Sequence, residues 1–188
     1  MKPAESLALR PRACGRRRAA GVTLIESLVV LAVLGVLATQ AVTQLPDLID
    51  RRRVEATASE AAALLQTARW SAQSTTRSLR ASFRHDAGGS CMLIHVAAAD
   101  CTCGASARPT CDQPDAIVGV LQVPASRGVA IHANVASILY DPLLGTATPA
   151  ATVRITGVRG LELRQVVNLM GRVRTCSAGS AAGLAAPC

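Results

Sequence analysis

Apolar positions change their period twice along this chain. Over residues 24–45 there are 22 consecutive positions with one ionisable side chain, Glu26. As a helix that run extends about 33 Å, enough to cross a bilayer core. Pro46 comes next. Lacking an amide hydrogen and crowding the preceding turn, it is expected to kink or interrupt the helix, which then resumes. Over 47–74 the pattern becomes amphipathic: Val54, Ala58, Ala61, Leu65, Ala68 and Ala72 recur at three- and four-residue spacing, with Arg52, Glu55, Ser59, Glu60 and Arg69 mostly off that stripe. Small residues dominate the stripe, which suits close packing of a sheet on it.

Beyond Thr75 the period shortens to that of strands. Alternating or wholly apolar runs cover 79–84, 91–96, 117–123, 129–133, 137–140, 152–156, 161–169 and 172–176. Residues 86–90, with Gly88 and Gly89, read as a hairpin turn. Asp141-Pro142 and residues 145–149 punctuate the C-terminal half. Residues 97–114 form a cysteine-bearing loop, too polar and irregular for a strand. The pattern predicts an α+β chain: one long N-terminal helix, apolar all round in its first half, with an antiparallel sheet packed on its second. Residues 46–188 supply enough chain for one compact head.

A carboxylate inside an apolar segment is costly unless it finds a partner, so Glu26 is a functional-site candidate by default. Before it stand Arg16, Arg17, Arg18, Ala19, Ala20 and Gly21, then Val22-Thr23-Leu24-Ile25-Glu26. This junction resembles the type IV prepilin signature: a basic leader, a glycine cleaved on its C-terminal side, and a hydrophobic helix with Glu at the fifth mature position. The resemblance implies removal of residues 1–21 by prepilin peptidase, N-methylation of Val22 and assembly of the helix into a filament core. There Glu26 would meet the freed amine of a neighbouring subunit's first residue. Two features depart from the pattern. Val22 stands where Phe is usual, and the leader is long. The bland alternative is an ordinary anchor or secretory signal, but no Ala-X-Ala-like cleavage site stands just after Leu45.

Charge adds orientation and asymmetry. The basic leader is expected to stay cytoplasmic and to place the chain beyond the apolar run outside; Arg51, Arg52 and Arg53, read as a solvated face or headgroup anchor, compete and are partly offset by Asp47 and Asp50. Loss of residues 1–21 leaves 14 Arg against 11 acids. Residues 151–188 hold five of those Arg (Arg154, Arg159, Arg164, Arg172, Arg174) against Glu162 alone. If 171–176 is a strand, Arg172 and Arg174 share a face about 6.6 Å apart, with Gly171 admitting a close backbone. Two guanidiniums so placed suit a phosphate clamp. With three aromatics in the whole chain, any such contact to DNA would be to its backbone and salt-sensitive. The competing reading is solvation or pairing with a neighbouring acid.

Of seven cysteines, Cys14 lies in the leader; Cys91, Cys101, Cys103, Cys111, Cys176 and Cys188 remain. In an oxidising compartment these read as up to three disulfides, with 15 possible connectivities. Isolation of Cys176 and Cys188 near the chain end favours a bridge between them, leaving the other four to pair among themselves. Zinc on Cys101, Cys103, Cys111 and His95 is the alternative, disfavoured by the Cys-X-Cys spacing. No catalytic constellation stands out: His85, His95 and His132 are isolated in sequence, and neither nucleophile elbow nor phosphate loop is present. The chain reads as a non-enzyme with no cofactor.

The helix, the segment 138–142 and the late Gly171-Arg172-Val173-Arg174 together resemble the GspH/FimT family of minor pilins and pseudopilins. That resemblance implies a leader at 1–21, a transmembrane and filament-core helix at 22–45, its amphipathic continuation at 46–75 and a β-rich head at 76–188. It also implies a single-pass inner-membrane subunit of a type IV pilus or type II secretion filament. Its partners would be other pilins. In FimT-like members the Gly-Arg-X-Arg element is associated with DNA uptake.

Overall fold

The computed structural model describes residues 23–104, 108–179 and 183–188, with backbone alone at 39–44 and 114. The chain divides into two compact units, Met1–Thr43 and Gln44–Cys188. Helix α1, Leu24–Thr75, has 52 residues and supplies most of the described part of the first unit and the N-terminal part of the second. Its start is capped: Thr23 Oγ1 accepts the Glu26 amide at 3.3 Å and the Thr23 carbonyl accepts the Ser27 amide at 3.1 Å. Its end is a left-handed Thr76 (φ 51°), after which the Arg77 amide returns to the Ala72 carbonyl at 3.3 Å. The expected interruption at Pro46 does not occur. The proline costs one backbone hydrogen bond, and the helix runs through it.

In the first unit the apolar side chains of α1 from Leu24 to Leu37 are exposed on all sides. No helix among the described residues is long and apolar enough to cross a membrane. The segment 22–45 expected to do so includes Val22 and positions 39–44, which lie outside the described side chains.

The second unit is built on the stripe read from the sequence. Val54, Ala58, Ala61, Leu65, Ala68 and Ala72 are all buried. Onto them fold two antiparallel sheets. Strands β1 (Leu79–Asp86), β2 (Gly89–Val96), β5 (Ile117–Pro124), β7 (Ser137–Tyr140) and β8 (Ala147–Thr148) make one, in the order β5-β2-β1-β7-β8. Strands β6 (Val129–Ala133), β9 (Ala151–Gly157), β10 (Glu162–Val167) and β11 (Val173–Ser177) make the other, in the order β11-β10-β9-β6. Both inner faces join the helix in one core, with Leu79, Ile94, Ile138, Tyr140, Val153, Ile155 and Leu163 at its centre. Two attachments pin the second sheet. The buried Gln165 donates to the Ala58 carbonyl at 2.9 Å and accepts from Thr175 Oγ1 at 2.8 Å. The β9–β10 turn is held by Asp50, whose carboxylate accepts the Arg159 amide at 3.3 Å, and by an ion pair of Arg159 with Asp47. Gly157 is required there, because a Cβ would lie 2.6 Å from the Asp50 carboxylate.

The cysteine segment departs from its expected irregularity. Strands β3 (Cys101–Thr102) and β4 (Thr110–Cys111) pair antiparallel, and a Cys101–Cys111 disulfide joins them. A Cys91–Cys103 disulfide ties the segment to β2, and Cys176–Cys188 bonds the last residue back to β11. With Cys101, Cys103 and Cys111 all bonded, the zinc alternative has no thiolate to use.

The close fit of the alanine stripe has a measurable consequence. Ala61→Leu, at a position with no exposed surface, should overpack the helix–sheet contact and cost about 1–3 kcal/mol, whereas Ala63→Leu on the exposed side should stay within about 0.5 kcal/mol. Denaturant unfolding of the full chain in detergent distinguishes the two; equal effects would show that the stripe is not tightly packed.

Candidate functional site

Two regions carry chemistry: the start of α1 and the solvent face of the second sheet. At the start of α1, Gly21 and Val22 lie outside the described residues. Glu26 occupies the third helical position after the cap Thr23. The Thr-X-X-Glu spacing is a helix-start signature, a local signal that the longer prepilin junction overshadows. The Glu26 carboxylate is exposed and makes no hydrogen bond or ion pair among the described residues. Its environment is apolar: Leu24, Ile25, Leu28, Val29 and Val30 surround it on the same two turns. Such a helix presents no polar face to water, so it is complete only against lipid or other helices, and in either setting the carboxylate needs a counter-charge.

The three arginines after Pro46 do not stand free. Arg51 and Arg52 both pair with Glu55, at 3.5 and 3.2 Å, and Arg53 donates to the Arg127 carbonyl at 3.3 Å. These are exposed contacts of small energetic weight. Asp47 and Asp50 hold the β9–β10 turn instead of balancing them.

Near the C terminus the structure corrects the expected geometry of Gly171, Arg172 and Arg174. β11 begins at Val173, so Arg172 sits in the β10–β11 turn and not on the strand face with Arg174. That turn is rigid: the Asn168 side chain accepts the Arg172 amide at 2.9 Å, and its carbonyl accepts the Gly171 amide at 2.9 Å. Gly171 takes φ 69°, and a Cβ there would lie 2.5 Å from the Gly145 carbonyl oxygen. The backbone that it admits is therefore this chain's own loop. Arg172 and Arg174 are both exposed.

Register assembles what the sequence kept apart. In the second sheet His132 lies opposite Arg154, Arg154 opposite Arg164, and Arg164 opposite Cys176. Three basic side chains thus form a row on the solvent face, with Arg174 one step along β11. The one acid among them, Glu162, bonds to Arg164. Arg154 and Arg164 are like charges directly opposite one another, and Glu162 offsets the second of them.

The histidines, too, come together. The His85 and His132 rings lie with centroids 4.1 Å apart, and His85 Nδ1 is 2.9 Å from the buried Ser90 hydroxyl, which accepts the Ile131 amide at 2.8 Å. Partial burial, then the charges of His85 and Arg154, hold the His132 imidazole below its ordinary value. His95 is buried and bonded to Ser82 Oγ at 3.0 Å. Among the described residues no group of three or more His, Cys, Asp or Glu could hold a metal ion.

Residues 16–39 match the family model of the prokaryotic N-terminal methylation motif. No curated protein and no solved structure matches the chain. The motif marks a type IV pilin-like substrate of prepilin peptidase, anchored in the membrane and assembling with other pilins, and chains that carry it are structural subunits. One long helix with antiparallel sheets packed on its second half is consistent with a type IV pilin-like fold.

Proposed function

We propose that the chain is a minor pilin or pseudopilin of GspH/FimT type, built into an inner-membrane-rooted pilus or secretion filament after cleavage between Gly21 and Val22. The observation that carries this reading is the helix that the methylation motif opens. Its first turns are largely apolar, and the one carboxylate there, Glu26 at the third position, has no partner among the described residues. Packed among like helices, Glu26 is neutralised by the methylated amine of a neighbouring Val22. Two buried charges become one pair, and the pair fixes the axial register of adjoining helices. An isolated buried carboxylate is far costlier than a paired one, so correctly registered neighbours are favoured over slipped ones.

A second role is compatible with the first. The exposed Arg172 and Arg174, beside the basic row of the second sheet, support binding of duplex DNA through its phosphates by a head displayed on the filament. The arginine fork suits phosphate oxygens, and the four strands of that sheet carry no Phe, Tyr or Trp on which bases would stack.

Mass spectrometry of the mature chain should find N-methylated Val22 as its first residue; any other start would remove the partner of Glu26. Glu26→Ala and Glu26→Leu should leave membrane insertion intact and abolish recovery in the sheared filament fraction, and normal incorporation of both would refute the register role. For DNA, a salt titration of the full chain in detergent micelles is decisive. Arg172→Ala with Arg174→Ala should weaken binding to every duplex sequence and lower the salt slope by about two, and an unchanged slope would eliminate the clamp.

A further inference from the structure

Just past the apolar run of α1, the second unit carries an open groove of about 430 Å³ between the helix and the turn that bears Arg127. Its floor is apolar: Leu48 and Ile49, 51% and 41% exposed, lie beside Ala56. Its rim is cationic. Arg52, Arg53 and Arg127 stand there against one acid, Glu60, which is about 10 Å further along α1 than Arg53.

These cations are only partly answered within the chain. Glu55 is one carboxylate shared by Arg51 and Arg52, at 3.5 and 3.2 Å, and exposed pairs of this kind are weak enough to rearrange. Arg53 donates to the Arg127 carbonyl at 3.3 Å, a bond that neutralises no charge. The Arg127 guanidinium has no partner among the described residues. Its turn, Ala125–Arg127, is nonetheless fixed in place: the Ala125 amide donates to the Gly88 carbonyl at 2.8 Å, and the Gly128 amide to the Ala125 carbonyl at 3.0 Å. Arg127 is therefore held against Arg53 by the fold.

An apolar floor under a cationic rim matches an amphiphile with an anionic head, and the position of the groove says where one is found. Leu48 follows Leu45, the last residue of the apolar run, by about 4.5 Å of helix. The headgroup layer bordering a bilayer core is about 5–8 Å deep on each side. In a membrane-anchored chain the near end of the groove thus lies at the level of the lipid phosphates, where arginine stems run along apolar surface and their heads reach phosphate oxygens.

We propose that the groove seats the phosphate of an anionic membrane phospholipid between Arg53 and Arg127, with part of an acyl chain over Leu48, Ile49 and Ala56. A lipid of net negative charge is favoured over a zwitterionic one, whose head would bring its own cation up to the three arginines. This inference rests on the membrane-anchored reading. It gives the end of the apolar run a lipid preference that is separate from the Glu26 contact between helices.

Native mass spectrometry of the full chain in non-ionic detergent, titrated with phosphatidylglycerol or phosphatidylcholine, tests it. Phosphatidylglycerol should bind about tenfold tighter or more. Arg53→Gln with Arg127→Gln should weaken its binding about 25-fold, whereas the equal charge change Arg77→Gln with Arg84→Gln, at exposed positions away from the groove, should leave it unchanged. Glu60→Gln should tighten it about twofold or more, a gain that misfolding would not produce. In cells, p-benzoylphenylalanine in place of the exposed Ala56 should crosslink to phospholipid. Equal binding of the two lipids, equal losses from the two arginine pairs, displacement of the lipid by inorganic phosphate alone, or a crosslink to protein in place of lipid would each overturn the site while leaving membrane anchoring intact. Recovery of the chain outside the membrane fraction would overturn the anchoring and the site together.

Discussion

The second unit depends on how closely two sheets can approach one helix. Ala58, Ala61, Ala68 and Ala72 give α1 a face with almost no side-chain relief, interrupted by Val54 and Leu65. Sheets carrying Ile94, Ile138, Ile155 and Leu163 can therefore lie against its backbone and fill the space with their own side chains. Larger residues on the stripe would hold the sheets off. Closeness also brings the helix backbone within reach of the side chain of Gln165, which is how a fully buried amide finds partners on both sides. Buried polar groups elsewhere obey the same rule, except that the Tyr140 hydroxyl has no partner among the described residues. Burial raises the pKa of that hydroxyl, so it stays neutral.

Around this core, restraints are placed where chain would otherwise fray. Asp47 and Asp50 fasten the β9–β10 turn to the helix shortly after Pro46. The Cys176–Cys188 disulfide fastens the chain end to β11, Cys91–Cys103 ties the cysteine segment to β2, and Cys101–Cys111 joins β3 to β4. A head so restrained can display rigid loops and a charged sheet face without spending core residues on them. Function and stability are thereby separated. The core of the head draws on α1 from Val54 onward.

The functional reading joins two electrostatic problems of opposite kind. Glu26 is one negative charge in an apolar helix, and burying it unpaired would be costly. The exposed Arg154 and Arg174 of the second sheet are positive charges in water, tolerable alone because solvent screens them, yet favourable toward an anion. In the proposed reading the first makes assembly specific, and the second gives the head something to bind.

Sequence by itself determined the order of elements and the core stripe, because period depends on local backbone geometry: 3.6-residue spacing through 54–72 and alternation beyond Thr75 needed no tertiary information. Glu26 stood out as a charge in an apolar run, while the expectation for the glycine before Val22 came from the resemblance to the prepilin signature. Pairing was not legible. The strand boundary that puts Arg172 in a turn, the opposition of Arg154 to Arg164 and His132, and the meeting of His85 with His132 all arise from register and crossover. Those are set by which distant strands bury each other's side chains, a competition that no local spacing records.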